Sequence, residues 1–172
     1  TVLFFGRSHP HKGLEYLIQA QPMVSSRVPN ARFLIVAHGD DLKRYRHMIK
    51  DKSKIEIFDG FRPSAEAMSF FQKASLVVLP YLSASTSGIL MTAYVFAKPV
   101  VATMVGCLPE YVLQGETGLL VPPKDPSELA KAISLLLLDD DLRRRMGANA
   151  RHLAEEQQKK IGMQLISIYN KA

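Results

Sequence analysis

Arg7 and Lys12 stand in one loop, Gly6-Arg7-Ser8-His9-Pro10-His11-Lys12-Gly13, directly after the apolar run Val2–Phe5. Two cations so placed could clamp a diphosphate, Arg7 through its planar fork and Lys12 as a point charge. Two solvated loop cations are the competing reading. A second stretch offers chemistry of the same kind. Ser83, Ser85, Thr86 and Ser87 lead through Gly88 into the apolar run Ile89–Phe96. A helix opening on Ser87-Gly88 presents unpaired backbone N–H groups and the positive end of its dipole, which suit phosphate. Small side chains there let a ligand approach the backbone itself. Taken alone, the same stretch also reads as the cap of a core helix.

Other reactive side chains carry less. His9 and His11 lack partners at metal-ligand spacing and read as solvent-facing. Cys107 has no histidine beside it to act as a base, which argues against a nucleophile. Glu110, after Pro109, either caps a short helix or faces a ligand. Neither a Gly-x-Gly-x-x-Gly fingerprint nor a Walker loop is present.

The elements that must position these groups follow from periodicity. Apolar, β-prone runs at Val2–Phe5, Arg32–Ala37, Ile55–Phe58, Leu76–Leu79, Val100–Thr103 and Leu119–Val121 predict six strands. Helical spacing between them begins at Leu14, with Pro22 expected to interrupt and kink that helix. Further helices are expected over Leu42–Ile49, from an N-cap at Ser64 to Ala74, and over Ile89–Phe96, the last buried on most sides. Leu108–Val112 fits one helical turn. Asp125-Pro126-Ser127-Glu128 is a helix start with Asp at the cap and Pro at the first position. That helix should reach Leu138; a next one, capped by Asp139-Asp140, should end near Gly147, and a last should carry Ala150–Tyr169. Strands alternating with helices predict an α/β fold: a Rossmann-like parallel sheet of about six strands with helices on both faces. In such sheets the ligand lies at the carboxyl ends of the strands. Every small-residue loop noted here follows a strand, so the loops should gather on one edge.

The 172 residues suffice for one domain over 1–172, and 47% hydrophobic against 22% charged is a soluble globular balance. No apolar run reaches the ~20 residues a membrane span needs. The start lacks a basic leader region, and a lone cysteine fits a reducing compartment, so a cytoplasmic location is expected. The net charge of +6 is compatible with an anionic ligand, an acidic membrane surface or nucleic acid, and selects none of them. Lys43-Arg44-Arg46 and Arg143-Arg144-Arg145 read as exposed helix faces rather than nucleic-acid surfaces. Thr1 leading straight into a strand is expected of a domain excised from a longer chain.

In their order and spacing, several motifs resemble the C-terminal, donor-binding domain of GT-B fold glycosyltransferases of the retaining family 4, group 1 type. They are Gly6-Arg7 with Lys12-Gly13, Ala97-Lys98-Pro99-Val100-Val101-Ala102-Thr103, Val105-Gly106-Cys107-Leu108-Pro109-Glu110, Gly115-Glu116-Thr117-Gly118-Leu119-Leu120-Val121-Pro122, and the Asp125-Pro126 helix start. The resemblance implies that Gly6, Arg7 and Lys12 meet the diphosphate of a nucleoside-diphosphate sugar. It implies the same of the backbone at Ser87, Gly88 and Ile89, and it puts Gly60, Phe61 and Arg62 beside the nucleobase. Two family glutamates, spaced eight apart, are here Ala84 and Thr92, the latter at the ribose position; the family's paired glycines are Gly106-Cys107. A subset of the family with a Ser-Gly helix start looks similar.

The implied activity is transfer of a sugar to an acceptor hydroxyl, in polysaccharide or glycolipid synthesis, with the nucleotide sugar as substrate and no cofactor or metal. The implied partner is an N-terminal domain holding the acceptor, with peripheral membrane association of the whole enzyme and no nucleic acid. A non-catalytic nucleotide-binding module and a GT-B-type sugar-nucleotide epimerase are the alternatives.

Overall fold

The computed structural model describes residues 1–39 and 42–169. Six strands, β1 (Val2–Arg7), β2 (Phe33–His38), β3 (Ile55–Asp59), β4 (Leu76–Leu79), β5 (Val100–Thr103) and β6 (Gly118–Val121), form one sheet. Its order is β3-β2-β1-β4-β5-β6, and every neighbouring pair runs parallel. The connecting helices are α1 (Leu14–Arg27), α2 (Leu42–Met48), α3 (Ser64–Lys73), α4 (Gly88–Val95), α5 (Leu108–Tyr111), α6 (Pro126–Leu138) and α7 (Asp140–Tyr169).

Alternation along each strand builds two cores. Val2, Phe4, Phe33, Ile35, Leu76 and Val78 point to one face, where α1, α2 and α6 cover them. Leu3, Leu34, Val36, Val77 and Leu79 point to the other, against residues of α3, α4 and α7. Both faces being buried is why the strands read as unbroken apolar runs.

The chain leaves β1 toward β2 and β3, then returns to place β4 on the other side of β1. Strand order therefore reverses between β1 and β4. β1 pairs with β2 along its whole length, from Val2↔Phe33 to Arg7↔His38. With β4 it pairs only at Val2↔Leu76 and Leu3↔Val77. Beyond Leu3 the two strands part, which opens a crevice at their carboxyl ends.

Three local expectations need correction. α1 runs through Pro22 to Arg27, because Leu17, Ile18, Gln21 and Val24 are buried on either side of it. That packing outweighs the ~3 kcal/mol propensity cost of proline. Ser64 is the first helical residue of α3, and Pro63 takes the cap position with no side-chain bond. α4 is buried on most sides as expected: Leu90, Ala93 and Tyr94 are buried, Ile89 and Met91 pack partly against the same core, and Gly88 and Val95 are exposed. The helix does not end at Gly147: α7 is continuous from Asp140 to Tyr169. A Cβ at Gly147 would sit 2.2 Å from the Ala97 carbonyl oxygen, so this glycine permits close packing instead of ending a helix. Asp125 is the cap foreseen, its Oδ1 accepting from the Ser127 and Glu128 amides at 3.0 Å.

Candidate functional site

Three loops meet at the crevice, and backbone contacts stitch them together. The β1 loop is anchored by buried Ser8, whose amide donates to the His38 carbonyl at 2.9 Å and whose Oγ donates to it at 3.3 Å. Pro10–Lys12 then makes a 3-10 turn, closed by Lys12 N donating to His9 O at 2.9 Å. Gly13 follows with φ +63°, and a Cβ on it would lie 1.8 Å from the Pro80 carbonyl oxygen. Only glycine allows both that dihedral and that approach. The Leu82 amide donates to His11 O at 2.8 Å, which fastens the β1 loop to the exit of β4.

The β5 loop closes on the same segment from the other side. Gly106 has φ +53°, its added Cβ would lie 1.7 Å from Ala84 O, and Cys107 N donates to that oxygen at 3.2 Å. Thr103 Oγ1 donates to Tyr81 O at 2.6 Å and so fixes the first residue after the β4 exit proline.

On this frame Lys12 Nζ sits 3.8 Å above the ring of buried Tyr81, a cation–π contact. Burial, and then the charge of Arg7, lowers the Lys12 pKa from its ordinary value. Among the described residues, neither Arg7 nor Lys12 forms a salt bridge with a carboxylate. Burial raises the Tyr81 pKa, and a hydrogen bond with the Ser87 hydroxyl partly offsets this.

Ser87 is the N-cap of α4, its Oγ accepting from the Leu90 amide at 3.3 Å. Among the described residues the amides of Gly88 and Ile89 donate to nothing. Gly88 is exposed, with open space where a Cβ would be. Thr92 turns its hydroxyl back on its own helix, donating to Gly88 O at 2.9 Å. Tyr94, two residues further along α4, ties α4 to the end of α5 and the segment after it. Thr117 Oγ1 accepts from Leu113 N at 3.0 Å and lies 2.7 Å from the Tyr94 hydroxyl, which donates to Tyr111 O at 3.0 Å. One proton assignment satisfies all three contacts, with Thr117 donating to Tyr94. Burial pushes the Tyr94 pKa to about 12.

A cavity of about 590 Å³ lies where the loops converge, lined by His11, Lys12, residues 82–86, Val105 and Gly106. Thr86 separates it from a more apolar recess of about 320 Å³ that includes Ser87, Gly88 and Tyr111 in its wall. Lys12 and the small-residue loop are thus brought together on one cavity. Arg7 is exposed at the end of β1, close enough for its charge to act on Lys12 and His11. Ile89 and Thr92 line neither space.

Gly60, Phe61 and Arg62 sit at the end of β3, two strands from β1. Gly60 has φ +104° and Phe61 is 82% exposed, a free apolar surface at that end of the edge. The Arg62 guanidinium is committed to the protein: it donates to Asp59 O at 2.8 Å, pairs with Glu66 at 3.2 Å and lies 5.8 Å from the Phe58 ring. Arg143 is likewise drawn in, half-buried and donating to Leu136 O at 3.0 Å, so its cluster is not wholly a solvated face.

Sequence reasoning missed His11 as a cavity wall and Tyr81 as the platform for Lys12. Tyr81 follows Pro80 in an apolar run and gave no periodic signal. The pairing of Gly13 with Pro80 is visible only in three dimensions.

Residues 1–139 match the family described as glycosyl transferases group 1. Over 182 aligned positions the chain is 34% identical to D-inositol 3-phosphate glycosyltransferase of Corynebacterium glutamicum, covering 100% of this chain and 43% of that protein. The chain therefore spans under half the length of that relative. The C-terminal domain of a glycosyl transferase group 1 family protein from Francisella tularensis superposes with a TM-score of 0.82 at 25% identity, over 91% of this chain and 85% of that one. HepE of Anabaena, solved with UDP, shares the fold with a TM-score of 0.87 at 23% identity, over 99% of this chain and 48% of that one.

Proposed function

Because the chain belongs to the group 1 glycosyl transferases and has the fold of their GT-B C-terminal domains, we propose that it binds the nucleoside-diphosphate sugar of a retaining glycosyltransferase. The observation that carries this reading is the pairing of two cations that have no carboxylate partner among the described residues, Arg7 and Lys12, with the open amides of Gly88 and Ile89 on one sheet edge. Such a set is complementary to a diphosphate. It would also stabilise the negative charge that grows on the diphosphate as the sugar–oxygen bond breaks. Phe61, with the backbone at Gly60, faces the base in this reading, while Arg62 shapes that loop from within.

Thr92 sets the character of the site. Its hydroxyl proton is spent on Gly88 O, so in this arrangement it can offer a ribose only an acceptor oxygen, one weak contact at most. Affinity then rests on phosphate. Titrating UDP, GDP and ADP against their bare nucleosides, at low and high salt, tests this directly. The nucleosides should bind far more weakly, and the affinity of the bound diphosphate should fall as salt screens the cations. A nucleoside that binds as well as its diphosphate refutes the reading.

The whole enzyme would pass the sugar to an acceptor hydroxyl held by a preceding domain, in polysaccharide or glycolipid synthesis at the cytoplasmic side of a membrane. Neither a cofactor nor a metal is required, and nucleic acid is not a partner. No helix among the described residues is long and apolar enough to cross a membrane; peripheral membrane association of the whole enzyme is part of this proposal. Ala84 and Thr92 in place of carboxylates favour a second reading, a nucleotide-binding module without turnover. Sugar transfer by the full-length protein distinguishes the two.

A further inference from the structure

The cavity wall contains one titratable group without a part in the reading above: the imidazole of His11, beside Lys12. Its backbone is fixed by the hydrogen bond from Leu82 N to its carbonyl, 2.8 Å long. Its ring stacks on His9, with centroids 5.6 Å apart and planes 24° from parallel. Among the described residues, the charged and titratable groups that act on it are Lys12, His9 and Arg7, and none of these can be negative. Among the described residues the rest of the lining, 82–86, Val105 and Gly106, adds no ionisable side chain. The nearby Cys107 thiol acts on Lys12, not on His11.

We infer that His11 is a third phosphate-facing residue, which takes up a proton from solvent as the anionic ligand enters, so that ligand binding and protonation are one linked event. This rests on the reading of the cavity as a nucleotide-sugar site. Without ligand, partial desolvation and then the neighbouring positive charges hold the His11 pKa below the ordinary 6.5. At neutral pH the ring is therefore neutral, with one N–H and one bare nitrogen. Two phosphates in the cavity offset the charges of Arg7 and Lys12 and favour the imidazolium. The incoming proton lands on the bare nitrogen and makes it a second donor toward phosphate oxygen.

The sign follows from linkage. The ligand raises the His11 pKa, so affinity is greatest below the pKa of the empty site and falls as pH rises through that of the filled one. Each unit between the two pKa values contributes about tenfold in affinity. His9 stands outside the cavity lining and is the natural comparison.

Calorimetry of UDP-glucose, GDP-mannose and ADP-glucose in buffers of different ionisation enthalpy measures the protons taken up. These ligands carry both phosphates as diesters, whose charge is constant here, whereas a terminal phosphate titrates near ~6 and would obscure the result. With the tightest binder, the wild type should show net uptake between pH ~6 and ~8, up to about one proton, and weaker binding as pH rises. His11→Gln should abolish the uptake and flatten the pH dependence. His9→Gln should retain the uptake. Equal uptake in wild type and His11→Gln, no uptake in wild type, or its loss in His9→Gln alone overturns the inference. If none of the three sugars binds the wild type, the nucleotide-sugar reading itself falls, which is a different failure from binding without proton uptake.

Discussion

Replacing Lys12 removes two things at once, a charge facing the cavity and a hydrocarbon stem and ammonium laid over Tyr81. Arg7 is exposed and has no such contact. Both Arg7→Ala and Lys12→Ala should weaken diphosphate binding by roughly 1.5–3 kcal/mol if each makes a charge-assisted hydrogen bond. The stability changes should differ: Arg7→Ala near zero, Lys12→Ala larger by up to about 1 kcal/mol for the lost cation–π contact. Titration of the tightest-binding nucleoside diphosphate, together with urea unfolding, separates these effects. Unchanged affinity in both variants would return the two residues to the surface. The placement of Arg7 and Lys12 about a glycine-bounded loop at the end of a strand was legible from the spacing of Gly6 and Gly13 after an apolar run. Tyr81 was not, since a ring lying under a lysine from another loop leaves no trace in local spacing. Nor was the commitment of Arg62 to Asp59 and Glu66, because a cation in a loop looks the same in sequence whether it is free or tied.

Helix α7 shows where local rules yield to packing. Gly147 reads as a helix end because glycine is a poor helix former and common past a C-terminus. Propensity alone would make Gly147→Ala stabilising by roughly 1 kcal/mol. The geometry gives the opposite sign, since the new Cβ would meet the Ala97 carbonyl oxygen at 2.2 Å and Pro99 Cδ at 3.4 Å. The variant should therefore unfold at lower urea, by at least about 1 kcal/mol of stability; an unchanged or higher midpoint would show that α7 can shift without cost. By contrast, Asp125-Pro126 was read correctly because every group in that cap lies within four residues, and the Asp125 carboxylate bonds the two amides it should. Asp125→Ala should cost about 1 kcal/mol by the same measurement. Ser64 had the right residue type one place too late, with Pro63 already holding the cap.

At the scale of the whole molecule, alternation of strands and helices made a parallel sheet legible, and with it the edge on which the loops gather. The strand order was not legible. Nothing in six apolar runs says that β4 returns to pair with β1 for two residues and then leaves it, yet that short pairing is what opens the crevice. The crevice also limits what this chain can do alone. Among the described residues no carboxylate lines its cavity; the ionisable groups there are His11 and Lys12, which once cationic around a bound anion hold it rather than draw a proton from an acceptor hydroxyl. The chain covers 43% of the C. glutamicum relative, so in a protein of that length an acceptor site has room elsewhere. These 172 residues by themselves should therefore bind the nucleotide sugar with the affinity that Arg7, Lys12 and the α4 amides provide, and transfer nothing. Calorimetry measures the first part. Mass analysis of products, with hydroxyl acceptors offered in excess and the full-length protein run alongside, measures the second. Sugar transfer by the short chain at a rate near that of the full-length protein would mean that the crevice assembles a complete active site, and the division of labour argued here would be wrong.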